Sequence, residues 1–210
     1  LLWTRLLGTA MADGAVAVSV RGDGDIYVAG STDGAFPGLT QSGGEDAFLA
    51  KFDANGVPQW TRQFGSPSAD RYTAVSVGGD GWVAVTGVTG GTLPGQTSLG
   101  STDSFVQRYD GDGGVLLWTR QFGGVSNDLA QGVSVGSDGR VMVAGYTDHA
   151  LQNQSNLGGT DAFLVAYSEH GVFLRTRQFG TVASDSALAV SSAGNGGAVV
   201  AGVAGYALPG

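Results

Sequence analysis

The chain has no cysteine, a single lysine and no long apolar run, and each absence removes a class of function. Without thiols there are no disulfides, no thiolate metal ligands and no cysteine nucleophile. Lys51 is the only lysine, and 18 acidic residues against 10 basic ones give a formal net charge of -8. Nucleic-acid affinity comes largely from Lys and Arg neutralising phosphates, so nucleic acid is not an expected partner, and neither is an anionic membrane surface. A spanning helix needs about 18 or more consecutive apolar residues, so no membrane insertion is expected either. An acidic, lysine-poor composition fits a secreted or cell-surface protein. The sequence opens at Leu1 without a basic-then-apolar leader, so any signal peptide is expected to be already removed or to lie outside it.

What the chain has in abundance is glycine, 38 of 210 residues, and repetition. That glycine content favours tight turns over long helices. Trp3-Thr4-Arg5 returns as Trp60-Thr61-Arg62, as Trp118-Thr119-Arg120 and, altered, as Arg175-Thr176-Arg177, at spacings of 57, 58 and 57 residues. A period this regular means one supersecondary unit copied along the chain, each copy burying its apolar face on the next. In the copy spanning 60–117, short β-rich runs at 60–64, 73–77, 82–86 and 103–109 are separated by Gly-, Asp- and Asn-rich turns. No segment keeps a helical period.

Four strands in ~57 residues match a propeller blade. The expected fold is therefore an all-β propeller of four-stranded blades, one domain over 1–210 with repeats 3–59, 60–117, 118–174 and a partial 175–210. Asp-Gly turns recur at Asp23, Asp80 and Asp138, with Asn195 in register. The strand after the polar loop has one small face (Ala74/Ser76) and one valine face (Val75/Val77), so it is expected innermost, with the Trp-Thr-Arg strand outermost. One leading strand, three sets of four and two closing strands make fifteen, and the sequence stops at Leu208-Pro209-Gly210 where another strand should begin. The expectation is a segment of a longer propeller, ahead of a compact four-blade ring.

The runs WTRQFG at 60–65 and GGTDAF at 158–163, the x-D-G-x-V-x-V-A-G hairpin and the Y/F-D-x-x-G turn resemble the bacterial beta-propeller repeat family often called SBBP. The resemblance covers nearly the whole chain and implies a propeller that is exported or surface-associated. It implies little chemistry.

Among polar residues the repeated arginine stands out. Arg62, Arg120 and Arg177 share a strand face with the bulky residues of the repeat, and a buried guanidinium must be paired. The expected partners are the repeated aspartates, Asp70, Asp128, Asp103 and Asp161 among them, in a structural ion pair per blade rather than a ring of ligand-facing charge. Asp110 and Asp112 invite a calcium reading, but calcium takes six to eight oxygens and Asp-Gly is ordinary hairpin chemistry; no cofactor is expected. Arg21-Gly22-Asp23 spells an adhesion tripeptide at a position where other copies have Gly-Gly-Asp and Gly-Ser-Asp, and it is read as a turn. His149 and His170 fall in different loop classes, and no nucleophile elbow or phosphate loop is present.

The expectation is accordingly not an enzyme but a binding or assembly scaffold, with a protein or further blades as partner. A lectin-like module that binds glycans is the first alternative, and an axial enzyme site completed by missing blades is the second. Trp82, Tyr146 and Tyr206 vary between copies and are the candidate contact residues, near the variable loops 31–45, 90–102 and 148–160.

Overall fold

The computed structural model describes residues 3–194 and 196–207; the turn residue Asn195 and the closing Leu208-Pro209-Gly210 lie outside the described residues. Fourteen strands and no helix occur among the described residues. The first sheet runs β1 (Asp13–Val20), β2 (Ile26–Thr32), β3 (Asp46–Phe52) and β4 (Pro58–Phe64); the second runs β5 (Asp70–Val77), β6 (Trp82–Thr89), β7 (Asp103–Asp110) and β8 (Leu116–Phe122). The third has β9 (Asp128–Val135), β10 (Val141–Thr147), β11 (Asp161–Tyr167) and β12 (Phe173–Phe179), and the fourth has β13 (Ser186–Ala193) and β14 (Gly197–Val203). Every pair is antiparallel and joins neighbours in sequence. Each four-stranded sheet closes on the Trp strand or its counterpart from the following repeat, so sheet and sequence repeat are out of phase by one strand.

The sheets stack through their first strands, β1 on β5, β5 on β9 and β9 on β13. Here the small-face and valine-face reading holds. Ala17 and Ser19 are half-buried towards β5, while Val75 and Val77 pack back on the cluster containing Tyr27 and Ala29. A hydrogen bond recurs at each junction: Ser19 Oγ accepts the Val77 N–H at 3.2 Å, Ser76 Oγ that of Val135 at 3.1 Å, and Ser134 Oγ that of Ser192 at 3.0 Å. Small side chains let the strands approach, and the hydroxyl satisfies an edge N–H that would otherwise be orphaned.

One expectation is corrected. The Trp3-Thr4-Arg5 segment is not a strand, so the count is fourteen rather than fifteen among the described residues. The strand it would pair with is not in the stack. The sheets form an open run rather than the compact ring that was the second expectation. Val16, Val18 and Val20 stand exposed on one end face, and Val199, Ala201 and Val203 on the other.

Candidate functional site

The outer strands of the first and second sheets clip the outer turn of the sheet that follows, and the Trp3–Arg5 segment clips that of the first. The Trp60 indole N–H donates to the Asp112 carbonyl at 2.9 Å, and Arg62 donates to the carbonyls of Gly114 (2.8 Å), Gly113 (2.6 Å) and its own neighbour Thr61 (3.0 Å). Trp118 and Arg120 repeat this on Glu169 and Gly171 at 2.9 and 2.8 Å, and Trp3 and Arg5 on Ala54 and Gly56 at 3.3 and 2.9 Å. The Arg62 and Arg120 guanidinium groups lie over their own indoles, at 5.4 and 5.8 Å. The turn glycine is dictated by the clip: Gly114 has φ +65°, and a Cβ there would sit 2.8 Å from the Trp60 ring. Arg175, in the Trp position, reaches the Gly196 carbonyl at 3.4 Å, and the exposed Arg177 makes no such contact among the described residues.

The expected arginine–aspartate pairs therefore do not form. Arg62 and Arg120 reach towards the β7–β8 and β11–β12 turns, whereas Asp70, Asp103, Asp128 and Asp161 begin their strands at the opposite end of the sheets. We expect Arg62→Ala to cost about 2 kcal/mol, since hydrogen bonds from a charged donor are worth ~1.5–3 kcal/mol and this one is only half-buried. Arg62→Lys should not restore the loss, because an ammonium lacks the fork that spans two carbonyls. Thermal melts of both variants check this; an unchanged midpoint in Arg62→Ala would remove the clip from the stability account.

The aspartates instead build a junction at the other end. Asp46, Asp103 and Asp161 each accept a glutamine amide N–H, from Gln63 (2.9 Å), Gln121 (2.7 Å) and Gln178 (2.8 Å), together with a loop N–H. The same glutamines accept the N–H of Phe36, Leu93 and Leu151, the buried anchor of each long loop. Asp70, Asp128 and Asp185 of the following sheet accept the N–H of Ser66, Gly124 and Thr181 at 2.6–2.7 Å. The two carboxylates flank the glycine that ends the Trp strand. A Cβ on Gly180 would lie 2.7 Å from Asp161 Oδ1 and 2.8 Å from Asp185 Oδ2. Asp46, Asp70, Asp103, Asp128 and Asp161 are all buried, and the Oδ1 of each lacks a hydrogen-bond partner. Burial pushes the Asp70 and Asp128 carboxyls up, the neighbouring Asp46 and Asp103 add to it, and the Thr89 and Thr147 hydroxyls oppose it.

The remaining candidates are dispersed. Asp112 pairs with Arg21 at 2.8 Å and Lys51 at 3.5 Å, and the two Asp110 oxygens accept the N–H groups of Asp112 and Gly113. Both calcium candidates are thus engaged within the turn and its neighbour. Arg21 also pairs with Asp23 (2.6 Å) and Asp25 (2.7 Å), which closes the adhesion-like tripeptide on itself and holds the Asp23 carboxyl down at about 2. Trp82 is covered by the guanidinium of Arg108, 4.4 Å from its ring, so it serves as a lid on a buried cation rather than a free contact. Tyr146 is half-buried and Tyr206 exposed, both at the long-loop end; Trp82 is at the opposite end. The three do not form one surface. His149 offers its backbone carbonyl to Thr147 and Gln178, and His170 is exposed beside Glu169. Among the described residues no three His, Asp or Glu gather as a metal site.

Sequence reasoning missed Lys51 and Arg108, which occupy one repeat position. Lys51 is neutralised by Asp25 at 2.8 Å; Arg108 pairs with Asp80, donates to the Gly139 and Glu169 carbonyls and stacks on Trp82, which replaces Asp25 in register. That exchange of Asp/Lys for Trp/Arg was readable from aligned copies. So was the repeated glutamine.

What is left uncommitted is the long-loop end. Three loops emerge there side by side, pinned by Phe36, Leu93 and Leu151, and expose Thr40 and Ser42, Thr97 to Leu99, and Ser155 to Leu157. These tips carry hydroxyls, amides and isolated leucines, with no exposed Trp or Tyr.

No family model matches the chain. It is similar to the Regulatory protein FlaEY of Caulobacter vibrioides, 32% identical over 193 aligned residues that take in 81% of this chain. The chain spans 20% of that relative's length.

Proposed function

We propose that the stacked sheets are blades of a β-propeller of the SBBP type, exported by a bacterium, and that the protein is a non-enzymatic scaffold whose long-loop end binds a protein partner. One observation carries the reading. The repeated ionisable groups are spent on holding sheet to sheet, turn to sheet and loop to sheet, while the three variable loops, pinned at Phe36, Leu93 and Leu151 and again through the N–H groups of Ser42, Leu99 and Leu157, turn most of the side chains between those pins to solvent. Rigid scaffolds with variable tips are where binding usually resides. The three loop tips carry hydroxyls, amides and leucines and no aromatic platform, which favours a protein surface over a glycan; Tyr206, exposed at the same end, stands outside the three loops. The name of the Caulobacter relative speaks of regulation, and a binding module without a catalytic set is compatible with that.

The test is site-specific photocrosslinking in the native cell. A crosslinker at Ser98 or Ser155 should capture one discrete protein, and one at Gly79, on the opposite end, should not. Capture at neither loop, or equally at Gly79, overturns the reading. Accessibility of the same protein to protease added to intact cells tests export separately.

A further inference from the structure

The gap between the second and third sheets repeats the one between the first and second, with Tyr72 and Gln107 exchanged for Ala130 and Val165. In the first gap Tyr72, Gln107 and Tyr109 are buried, and both tyrosine hydroxyls donate to Gln107 Oε1, Tyr109 at 3.1 Å. The Gln107 amide in turn donates to Thr119 Oγ1 at 3.0 Å. In the second gap the same positions hold Ala130, Val165, Tyr167 and Thr176. A phenol and an amide are gone, and a groove of about 410 Å³ lies between these sheets. Ligand sites run from roughly 300 to 1,000 Å³. Its walls are complete four-stranded sheets, each with another sheet stacked on its other side, so the groove belongs to neither end face of the stack.

Val165 and Tyr167 line the groove, and Tyr167 is 3% exposed among the rings of Trp118, Phe122 and Phe173. Its hydroxyl has no hydrogen-bond partner among the described residues, whereas that of Tyr109 has Tyr72 and Gln107. A buried polar group without a partner calls for an explanation. Arg120 is the charged residue on the groove wall. It gives Nε to Gly171 and Nη1 to Thr119, while its Nη2, which in Arg62 holds Gly113, makes no bond among the described residues. Burial raises the Tyr167 pKa and the Arg120 charge opposes the rise, so at neutral pH a phenol donor and a guanidinium serve the same space. We propose that the groove binds a small carboxylate with an apolar body, the body on Phe122 and Phe173 and the oxygens on the Tyr167 hydroxyl and Arg120 Nη2. Guanidinium–carboxylate bonds are charge-assisted, and no Asp or Glu is among the lining residues to repel an anion. The site stands apart from the protein partner proposed for the loop tips.

Calorimetric titration with phenylacetate and with hexanoate tests this, and phenethylamine is the control of opposite charge. At least one carboxylate should saturate a single site, and the amine should not. Tyr167→Phe keeps the ring and its packing, and should weaken that carboxylate about tenfold, the loss of one hydrogen bond to a charged group. Ala130→Tyr combined with Val165→Gln restores the network of the first gap across the groove. It should abolish binding while keeping the strand signature by circular dichroism. The proposal is overturned if neither carboxylate saturates, if the amine binds as tightly, if Tyr167→Phe binds like the parent chain, or if the folded double variant still binds. Where the double variant does not fold, the Tyr167→Phe comparison decides alone.

Discussion

Gly123→Ala is expected to melt about 6–12 °C below the parent chain. Its backbone is not in the left-handed region, so the cost is one of space. A methyl group there would lie 2.5 Å from Asp128 Oδ2 and 2.7 Å from Asp103 Oδ1. Neither carboxylate can step aside, because Asp103 holds Gln121 and the Leu99 N–H, and Asp128 holds the Gly124 N–H. Overpacking costs about 1–3 kcal/mol; a site closed by two hydrogen-bonded buried groups belongs at the upper end. At roughly 2–4 °C per kcal/mol for a domain of this size, that gives the stated drop. Gly79→Ala is the control, since its Cβ would meet nothing within 4 Å. Equal losses at the two positions would mean that the carboxylate junction is not the cause.

Asp128→Asn is expected to do the reverse and stabilise the chain at neutral pH. Asp128 is buried, and burial followed by the charge of Asp103 raises its pKa, with Asp148 adding and the Thr147 hydroxyl opposing. A carboxyl whose folded pKa lies above its unfolded value of ~3.9 gives its full stabilisation below that value, and loses it as pH rises through the folded pKa. At pH 7 its charge therefore works against the fold. Asparagine keeps an acceptor for the Gly124 N–H and carries no buried charge beside Asp103. The expected gain at pH 7 is on the order of 1 kcal/mol, since a shift of one pKa unit corresponds to about 1.4 kcal/mol, shrinking towards zero near pH 4. Asp13, Asp23 and Asp112 have lowered pKa values and lose stabilisation as pH falls, so the informative quantity is the difference between variant and parent at each pH. A variant less stable than the parent at pH 7 would show that the Asp128 charge is needed.

The period, the strands and the small-against-valine packing of β1, β5, β9 and β13 were legible because they rest on patterns a single chain repeats to itself. The Ser19, Ser76 and Ser134 bonds fall where that pattern placed small residues. The partners of Arg62 were not legible. A guanidinium can end on a carboxylate or on a carbonyl, and sequence marks only the carboxylates as charged. Trp82 misled for a related reason: variation between copies looked like exposure, when the residue had changed together with Arg108. The long-loop end could be placed from its length and diversity, but its pins were hidden in Gln63, Gln121 and Gln178, ordinary polar residues whose role appears only when strand and loop meet.

The clips all point one way along the chain. Trp60 and Arg62 are fixed in the first sheet, and the turn they hold belongs to the second; Trp118 and Arg120 do the same for the third. During synthesis, which delivers the N-terminal end first, the β7–β8 and β11–β12 hairpins thus meet a receptor that is already formed. Growth is templated from behind, and β13–β14, which no Trp–Arg clip holds among the described residues, should exchange before the clipped sheets. Amide hydrogen exchange would register this as a gradient of protection falling from β5 to β14, a polarity imposed by which sheet holds the donors and which holds the turn.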